Sequence, residues 1–364
     1  MDNSKKKLMF VTGSLSDGGA ERVISILASG CADLGADVTI VIMREKKRIY
    51  ELSQNVKVLQ VKCDSKKFKV FSRIYELHNA IKNSNADVVI PFLPIITLYI
   101  IISNIGIGRK IITSERADPY KSIFSKGYTM KDRAGNLLMR RLGMYNFADW
   151  MVFQTPDAQA YYSKRLKRKS SIIPNPLDTS ALPKRYEGER EKRIVAAGRL
   201  SEEKNFSLLI KGFAEFHKEF PEYTMTIYGE GVQRRQLENE IVNLNMQQYI
   251  SLPGFISNIP ENIYKAAMYI STSNHEGISN SMLEALGVGL PTIVTDCPVG
   301  GARMFVKTDE NGIIIPINDQ QKLVSAMKKI AFNHEYAMQI SVEATKICGK
   351  ISADNICKQW LELV

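Results

Sequence analysis

The chain has 364 residues, enough for two domains of ordinary size, and its 45% hydrophobic and 24% charged content excludes the disordered, fibrous and low-complexity classes. The net charge of +11 is unevenly held: residues 1–180 carry 29 Lys and Arg against 16 Asp and Glu, whereas residues 181–364 carry 20 against 22. A basic half beside a near-neutral one suits an anionic partner, whether nucleic acid, an anionic membrane face or a phosphorylated substrate; a lysine-rich solvated surface is the alternative.

In chain order, the apolar run Lys7–Thr12 predicts a first strand with no signal peptide before it. Gly18 and Gly19 close the loop that follows. They then open a helix in which Val23, Ile24, Leu27, Cys31 and Leu34 recur at helical spacing. Val38–Met43, Val56–Val61, Asp87–Phe92, Lys110–Thr113 and Trp150–Gln154 read as further strands with helices between them. The most apolar stretch, 92–107, is broken by Pro94, Ser103, Asn104 and Gly106 and falls short of the ~20 residues a membrane span needs. A helix over 130–149 carries Lys131, Arg133, Arg140 and Arg141 among Leu137, Leu138 and Leu142, and Tyr120, Lys121, Phe124, Lys126 and Tyr128 lie upstream. Such a basic amphipathic stretch predicts contact with an anionic membrane surface; packing of its apolar face on the first domain is the alternative.

Prolines 174, 176 and 183 and the polar run 184–193 predict a linker. A second alternating set follows, with strands at Ile194–Ala197, Tyr223–Tyr228, Tyr249–Leu252, Tyr269–Thr272, Pro291–Thr295 and Gly312–Pro316. The fold class is therefore α/β: two tandem Rossmann-like, doubly wound domains, over 1–180 and 194–350, facing across a cleft. Ligands of such sheets bind beyond the carboxyl ends of the strands, so function is to be read in the loops that follow them.

The Gly18-Gly19 loop lacks the G-x-G-x-x-G spacing of a nicotinamide site. The loop Gly198–Asn205 holds Arg199 and Lys204 before a helix for which Asn205 is a natural N-cap. Cations there suit a diphosphate; a bridge from Lys204 to Glu202 or Glu203 is the bland reading. Gly229 and Glu230 follow the next strand, and Phe255 the one after, in glycine-bearing loops that fit either a nucleotide or tight turns. The loop Asn274–Glu284 sets Glu276 and Glu284 eight residues apart, with Gly277, Ile278, Ser279 and Asn280 between them at a helix mouth. Hydroxyls and free N–H groups there suit a phosphate, and the carboxylates suit sugar hydroxyls. Ser281 to Glu284 fits a capping box equally well. The five cysteines are odd in number and lack C-x-x-C spacing, no histidine pair has ligand spacing and D-x-D is absent, so neither a disulfide framework nor a metal site is expected.

Together, Gly198–Asn205, Ile227–Gly231, Leu252–Phe255, the E-x7-E of Glu276 and Glu284, the run Gly289–Gly301, the segment 311–317, the early Gly18–Ile24 and the TSERADP run Thr113–Pro119 resemble the retaining glycosyltransferase family 4 of the GT-B fold. The resemblance implies a metal-independent, retaining sugar transfer with no cofactor, the nucleotide-sugar being a co-substrate. Arg199 and Lys204 would hold the diphosphate, Glu284 the ribose, and Glu276 with Gly277–Asn280 the transferred sugar. Gly18 and Gly19 would lie toward phosphate and acceptor. Glu115 stands where many relatives carry a sugar-contacting histidine, and residues 351–364 would cross back onto the first domain. The donor is expected to be a UDP-sugar and the acceptor a glycan or lipid-linked saccharide, at the inner face of the cytoplasmic membrane. A sugar-nucleotide epimerase or a non-catalytic basic module would fit the fold too. The first needs catalytic groups on both sides of the anomeric centre, and the second needs stacking aromatics that the basic half lacks, so nucleic acid is not an expected partner.

Overall fold

Runs such as Leu8–Val11 and Val88–Ile90 are apolar without interruption, the composition of strands covered on both faces, and all seven residues are buried. The computed structural model describes residues 5–16, 18–44, 50–61, 69–116, 118–120 and 130–364, without the side chains of Lys131 and Asp132.

The first sheet contains β1 (Lys7–Thr12), β2 (Asp37–Ile42), β3 (Val56–Gln60), β4 (Val88–Pro91), β5 (Lys110–Glu115), β6 (Trp150–Phe153) and β7 (Ser170–Ile172). All pairs are parallel, in the order β3-β2-β1-β4-β5-β6-β7. The second contains β8 (Glu191–Ala197), β9 (Thr224–Tyr228), β10 (Ile250–Gly254), β11 (Ala266–Ser271), β12 (Thr292–Thr295) and β13 (Ile313–Ile315), again all parallel, in the order β10-β9-β8-β11-β12-β13. Each is the doubly wound Rossmann order, and in each the order reverses beside the first strand. In the second unit the crevice therefore opens between β8 and β11.

The chain divides into two compact units: residues 1–176 with 351–364, and residues 177–350. The returning segment is the helix Ala353–Glu362, capped by Ser352 and turning Ile356, Cys357 and Trp360 inward. It packs on the helix Gly19–Asp33, where a Cβ on Gly30 would stand 2.6 Å from the Cys357 sulfur. Trp360 reaches Phe92, at the end of β4, with ring centroids 6.0 Å apart.

Three expectations need correction. Part of the polar run 184–193 is structured: β8 begins at Glu191, and Arg190 donates to the carbonyls of Tyr264, Ala266 and Gly289 and to Ser341 Oγ at 2.8–3.2 Å. Its guanidinium donates to backbone acceptors of three residues outside the run. The segment 130–149 is broken into the helix Met130–Asn136, a π turn Leu137–Arg141 and a 3-10 turn Met144–Phe147. Within it Arg140 points inward, its side chain 2% exposed, while Lys121, Ile123, Phe124, Lys126 and Tyr128 lie outside the described residues. β7 was not expected; Ser170-Ser171-Ile172 is too short and polar to stand out, and it adds to the edge through backbone pairing with β6. The apolar stretch after Phe92 forms the largely buried helix Pro94–Ser103. No helix among the described residues is long and apolar enough to cross a membrane.

Candidate functional site

The loop after β8 turns at once toward β9. Leu200 N–H donates to Glu230 O at 2.9 Å and Gly198 N–H to Tyr228 O at 2.9 Å. Gly229 has φ +141°, and a Cβ there would fall 1.9 Å from Gly198 O; at Gly231 it would fall 2.3 Å from Leu200 O. These glycines are required because two backbones lie in direct contact beside the crevice. Arg199 is exposed and has no ion-pair partner among the described residues. A 3-10 turn, Glu202–Lys204, leads to Asn205. Asn205 precedes the helix Phe206–His217 but does not cap it with its side chain: its φ is +47°, and Nδ2 is drawn to Asn318 Oδ1 (2.9 Å) and Asn274 Oδ1 (3.3 Å).

Lys204 is ion-paired with Glu276, from the loop after β11, rather than with Glu202 or Glu203. The two side chains are 17% and 23% exposed. Burial pulls the ammonium pKa down, but the Glu276 carboxylate outweighs it and holds Lys204 above the ordinary lysine value. Ser273 Oγ donates to the same Glu276 oxygen at 3.2 Å, and Thr272 Oγ1 donates to the carbonyls of Lys204 and Asn205 at 3.1 and 3.0 Å. Residues 72 positions apart in sequence thus meet across the β8/β11 crevice, where a doubly wound sheet takes its ligand.

The helix Asn280–Gly287 starts at Ser279, whose Oγ accepts from Met282 N–H. Ser281 Oγ donates to Ala197 O, at the end of β8, at 3.0 Å and lies 2.8 Å from the Tyr269 hydroxyl. This cap assignment excludes the capping box: with Ser279 as N-cap, Glu284 falls in the second turn, and it is 3% exposed. Gly277 and Ile278 are buried beneath the loop after β12, where a Cβ on Gly301 would stand 1.8 Å from Gly277 O. Glu276 is held by that loop too, through N–H to Pro298 O at 3.0 Å and O from Val299 N–H at 3.1 Å. Sequence reasoning missed Thr272, Ser273 and Pro298–Gly301 as site-builders. The signal was there, since a diglycine follows β12 as glycines follow the other ligand-end strands.

Glu230 is exposed and paired with Arg234 (2.6 and 2.9 Å), whose hydrogen bonds depress the Glu230 pKa. Phe255 is 41% exposed just past β10. Gly18, Gly19 and Glu115 belong to the first unit. A Cβ on Gly18 would lie 1.8 Å from Glu21 Oε2, so Glu21 folds back over the start of its own helix. Glu115 is 1% exposed and accepts from Arg140 (3.0 and 3.1 Å), Tyr162 (2.7 Å) and Tyr145 (3.3 Å). The Glu115 carboxylate is thus enclosed by the side chains of Arg140, Tyr145 and Tyr162.

Two family models match in chain order: Glycosyltransferase Family 4 over residues 17–181 and Glycosyl transferases group 1 over residues 180–347. The chain is 25% identical, over 98% of both chains, to an α-1,4-N-acetyl-D-galactosaminyltransferase of Campylobacter jejuni that acts on an undecaprenol-linked saccharide. It is 31% identical over 57% of its length, and 42% of the other's, to the GtfA subunit of a UDP-N-acetylglucosamine–peptide N-acetylglucosaminyltransferase of Streptococcus pneumoniae. Among solved structures, TarM aligns with a TM-score of 0.82 at 14% identity over 100% of this chain and 99% of that one. HepE of Anabaena, solved with UDP and glucose, aligns with 0.81 at 18% over 98% of each. Matched in both halves by one enzyme class and sharing its fold along the whole length, the chain belongs to glycosyltransferase family 4 and is a glycosyltransferase of the GT-B fold.

Proposed function

We propose that the protein transfers a sugar from a UDP-sugar, with retention at the anomeric carbon and without a metal or other cofactor, to a glycan or lipid-linked acceptor in surface polysaccharide or glycolipid biosynthesis. The observation that carries this reading is the Lys204–Glu276 pair, set across the β8/β11 crevice; the loop of Lys204 also carries Arg199, which has no ion-pair partner among the described residues. Arg199 and Lys204 meet the diphosphate, Glu276 and the Gly277–Asn280 backbone take the sugar hydroxyls, and Glu284 takes the ribose. In the transfer the bond from C1 to the β-phosphate oxygen breaks and a bond from C1 to the acceptor oxygen forms. The acceptor proton passes to the leaving phosphate on the same face. Charge grows on that phosphate as the bond breaks, so fixed cations and helix N–H groups stabilise the transition state more than the ground state. The undecaprenol-linked substrate of the Campylobacter relative and the UDP in the HepE complex support the choice of acceptor and donor.

Membrane association is part of the proposal. Met130, Leu142 and Phe147 are 80%, 66% and 67% exposed, near the exposed Arg141. With Arg140 inward, this contact rests on apolar side chains more than on charge. The test of function is incubation with UDP-, GDP- and ADP-sugars. Release of UDP from one UDP-sugar, unaffected by EDTA, with the product anomer matching the donor by NMR, is the expected result. Interconversion of the sugar without transfer would replace it with an epimerase.

A further inference from the structure

The first unit presents two tyrosines at the ligand end of its sheet. Tyr120 follows β5 by five residues, and Tyr161 ends the short helix Pro156–Ala160 that follows β6. Both stand beyond the carboxyl ends of parallel strands, where this fold takes ligands. Tyr120 is 58% exposed and Tyr161 half-buried, and their rings meet edge to face, centroids 4.9 Å apart at 81°.

These rings are built in. Tyr161 packs edge-on against Tyr162 at 5.1 Å, and Tyr162 against Phe153 at 5.0 Å and Tyr145 at 5.8 Å. The hydroxyls of Tyr162 and Tyr145 end on the Glu115 carboxylate, which the Arg140 fork holds on both oxygens. Tyr120 is pinned separately, its N–H donating to Asp118 Oδ1 at 2.8 Å, with Asp118 4% exposed. A buried ion pair thus anchors an aromatic ladder that runs outward to an exposed edge.

We propose that the exposed Tyr120 ring, held at right angles by Tyr161, is the stacking surface of the acceptor-saccharide subsite, with Tyr161, Glu115 and Arg140 as its positioning residues. The inference rests on the glycosyltransferase reading. A sugar offers one ring face of C–H groups carrying partial positive charge, and an aromatic face is negative, so the two stack. Rigid aromatic side chains lose little entropy on binding, and the ladder beneath them removes most of what remains. A tyrosine ring, apolar on its face and polar at its rim, suits a saccharide better than it suits a lipid chain.

The test is saturation-transfer NMR of the whole chain with four methyl glycosides: α-N-acetylgalactosaminide, β-N-acetylglucosaminide, α-glucoside and β-galactoside. At least one is expected to show transfer to its ring C–H protons, lost in Y120A and Y161A and retained in Y120F and Y161F. With that glycoside as acceptor, the alanine variants should raise its KM about tenfold and leave donor hydrolysis and UDP affinity unchanged. Absence of transfer to every glycoside in the wild type, or its survival in the Y120A/Y161A double variant, overturns the proposal. Failure of every UDP-sugar to bind or turn over would instead strike the donor reading, and the NMR result would still judge the platform.

Discussion

Lys204 and Glu276 neutralise each other in the structure, yet each has a separate partner in the proposed complex. Under the proposed function an arriving diphosphate would draw the ammonium away and free the carboxylate for sugar hydroxyls, making the pair a preset exchange of partners. Replacing either by alanine should lower kcat by about 10²–10³-fold, and the double variant should fall well short of the product of the two, because each single change leaves the other charge stranded. A full double-mutant cycle of UDP release checks this; strict additivity would separate their roles. Because the folded pKa of Lys204 is raised, the pair's stabilisation is fully present below the ordinary lysine pKa. It disappears only as pH climbs through the higher folded value, so denaturant midpoints should not reflect its titration between pH 6 and 9. Glu284 poses a different test. It lies outside the first turn and is not the glutamate of a capping box, so the isosteric Glu284→Gln should keep the thermal midpoint within a few degrees while weakening UDP binding about tenfold by calorimetry.

At the scale of elements, the crevice depends on loops that touch backbone to backbone. Gly229→Ala places a methyl group against Gly198 O in a conformation that L-residues avoid. It should cost about 2–4 kcal/mol in urea unfolding and abolish donor turnover. All strands but β7 were legible in the sequence because a doubly covered parallel sheet demands unbroken apolar runs, and their ends moved by no more than three residues. Arg199, Lys204 and Glu276 were legible as candidates because they follow strands. That Lys204 chooses Glu276 over its sequence neighbours was not, since the choice comes from two strands sitting side by side. Arg140 misled for a related reason. A basic residue among leucines reads as interfacial until the buried carboxylate it serves is known, and Glu115 lies 25 residues away. Arg190, in what reads as linker, gathers four acceptors, and Arg190→Ala should lower the stability of the second unit by about 2–3 kcal/mol by differential scanning calorimetry.

For the molecule as a whole, the two units are unequal in continuity. Residues 177–350 form one uninterrupted segment with their own sheet and core, including Phe213, Phe216, Met268 and Leu323. That fragment should fold alone, with a cooperative melt, and bind UDP within the same decade of affinity as the full chain. The segment 1–176 should not fold alone. Without 351–364 the helix Gly19–Asp33 loses the cover of Cys357, and Phe92 loses Trp360. Supplying residues 351–364 as a peptide should recover part of its near-ultraviolet circular dichroism.

That returning helix also sets a timetable. On the ribosome, the residues that complete the first unit emerge only after all of the second has been made. The second unit is therefore free to close while the first waits with an apolar face uncovered, a state prone to self-association. The order of maturation should be the reverse of the order of synthesis. Stalled nascent chains ending shortly after residue 350 has left the exit tunnel should resist protease over the second unit and remain cleavable in the first, with resistance there appearing only once residue 364 is clear.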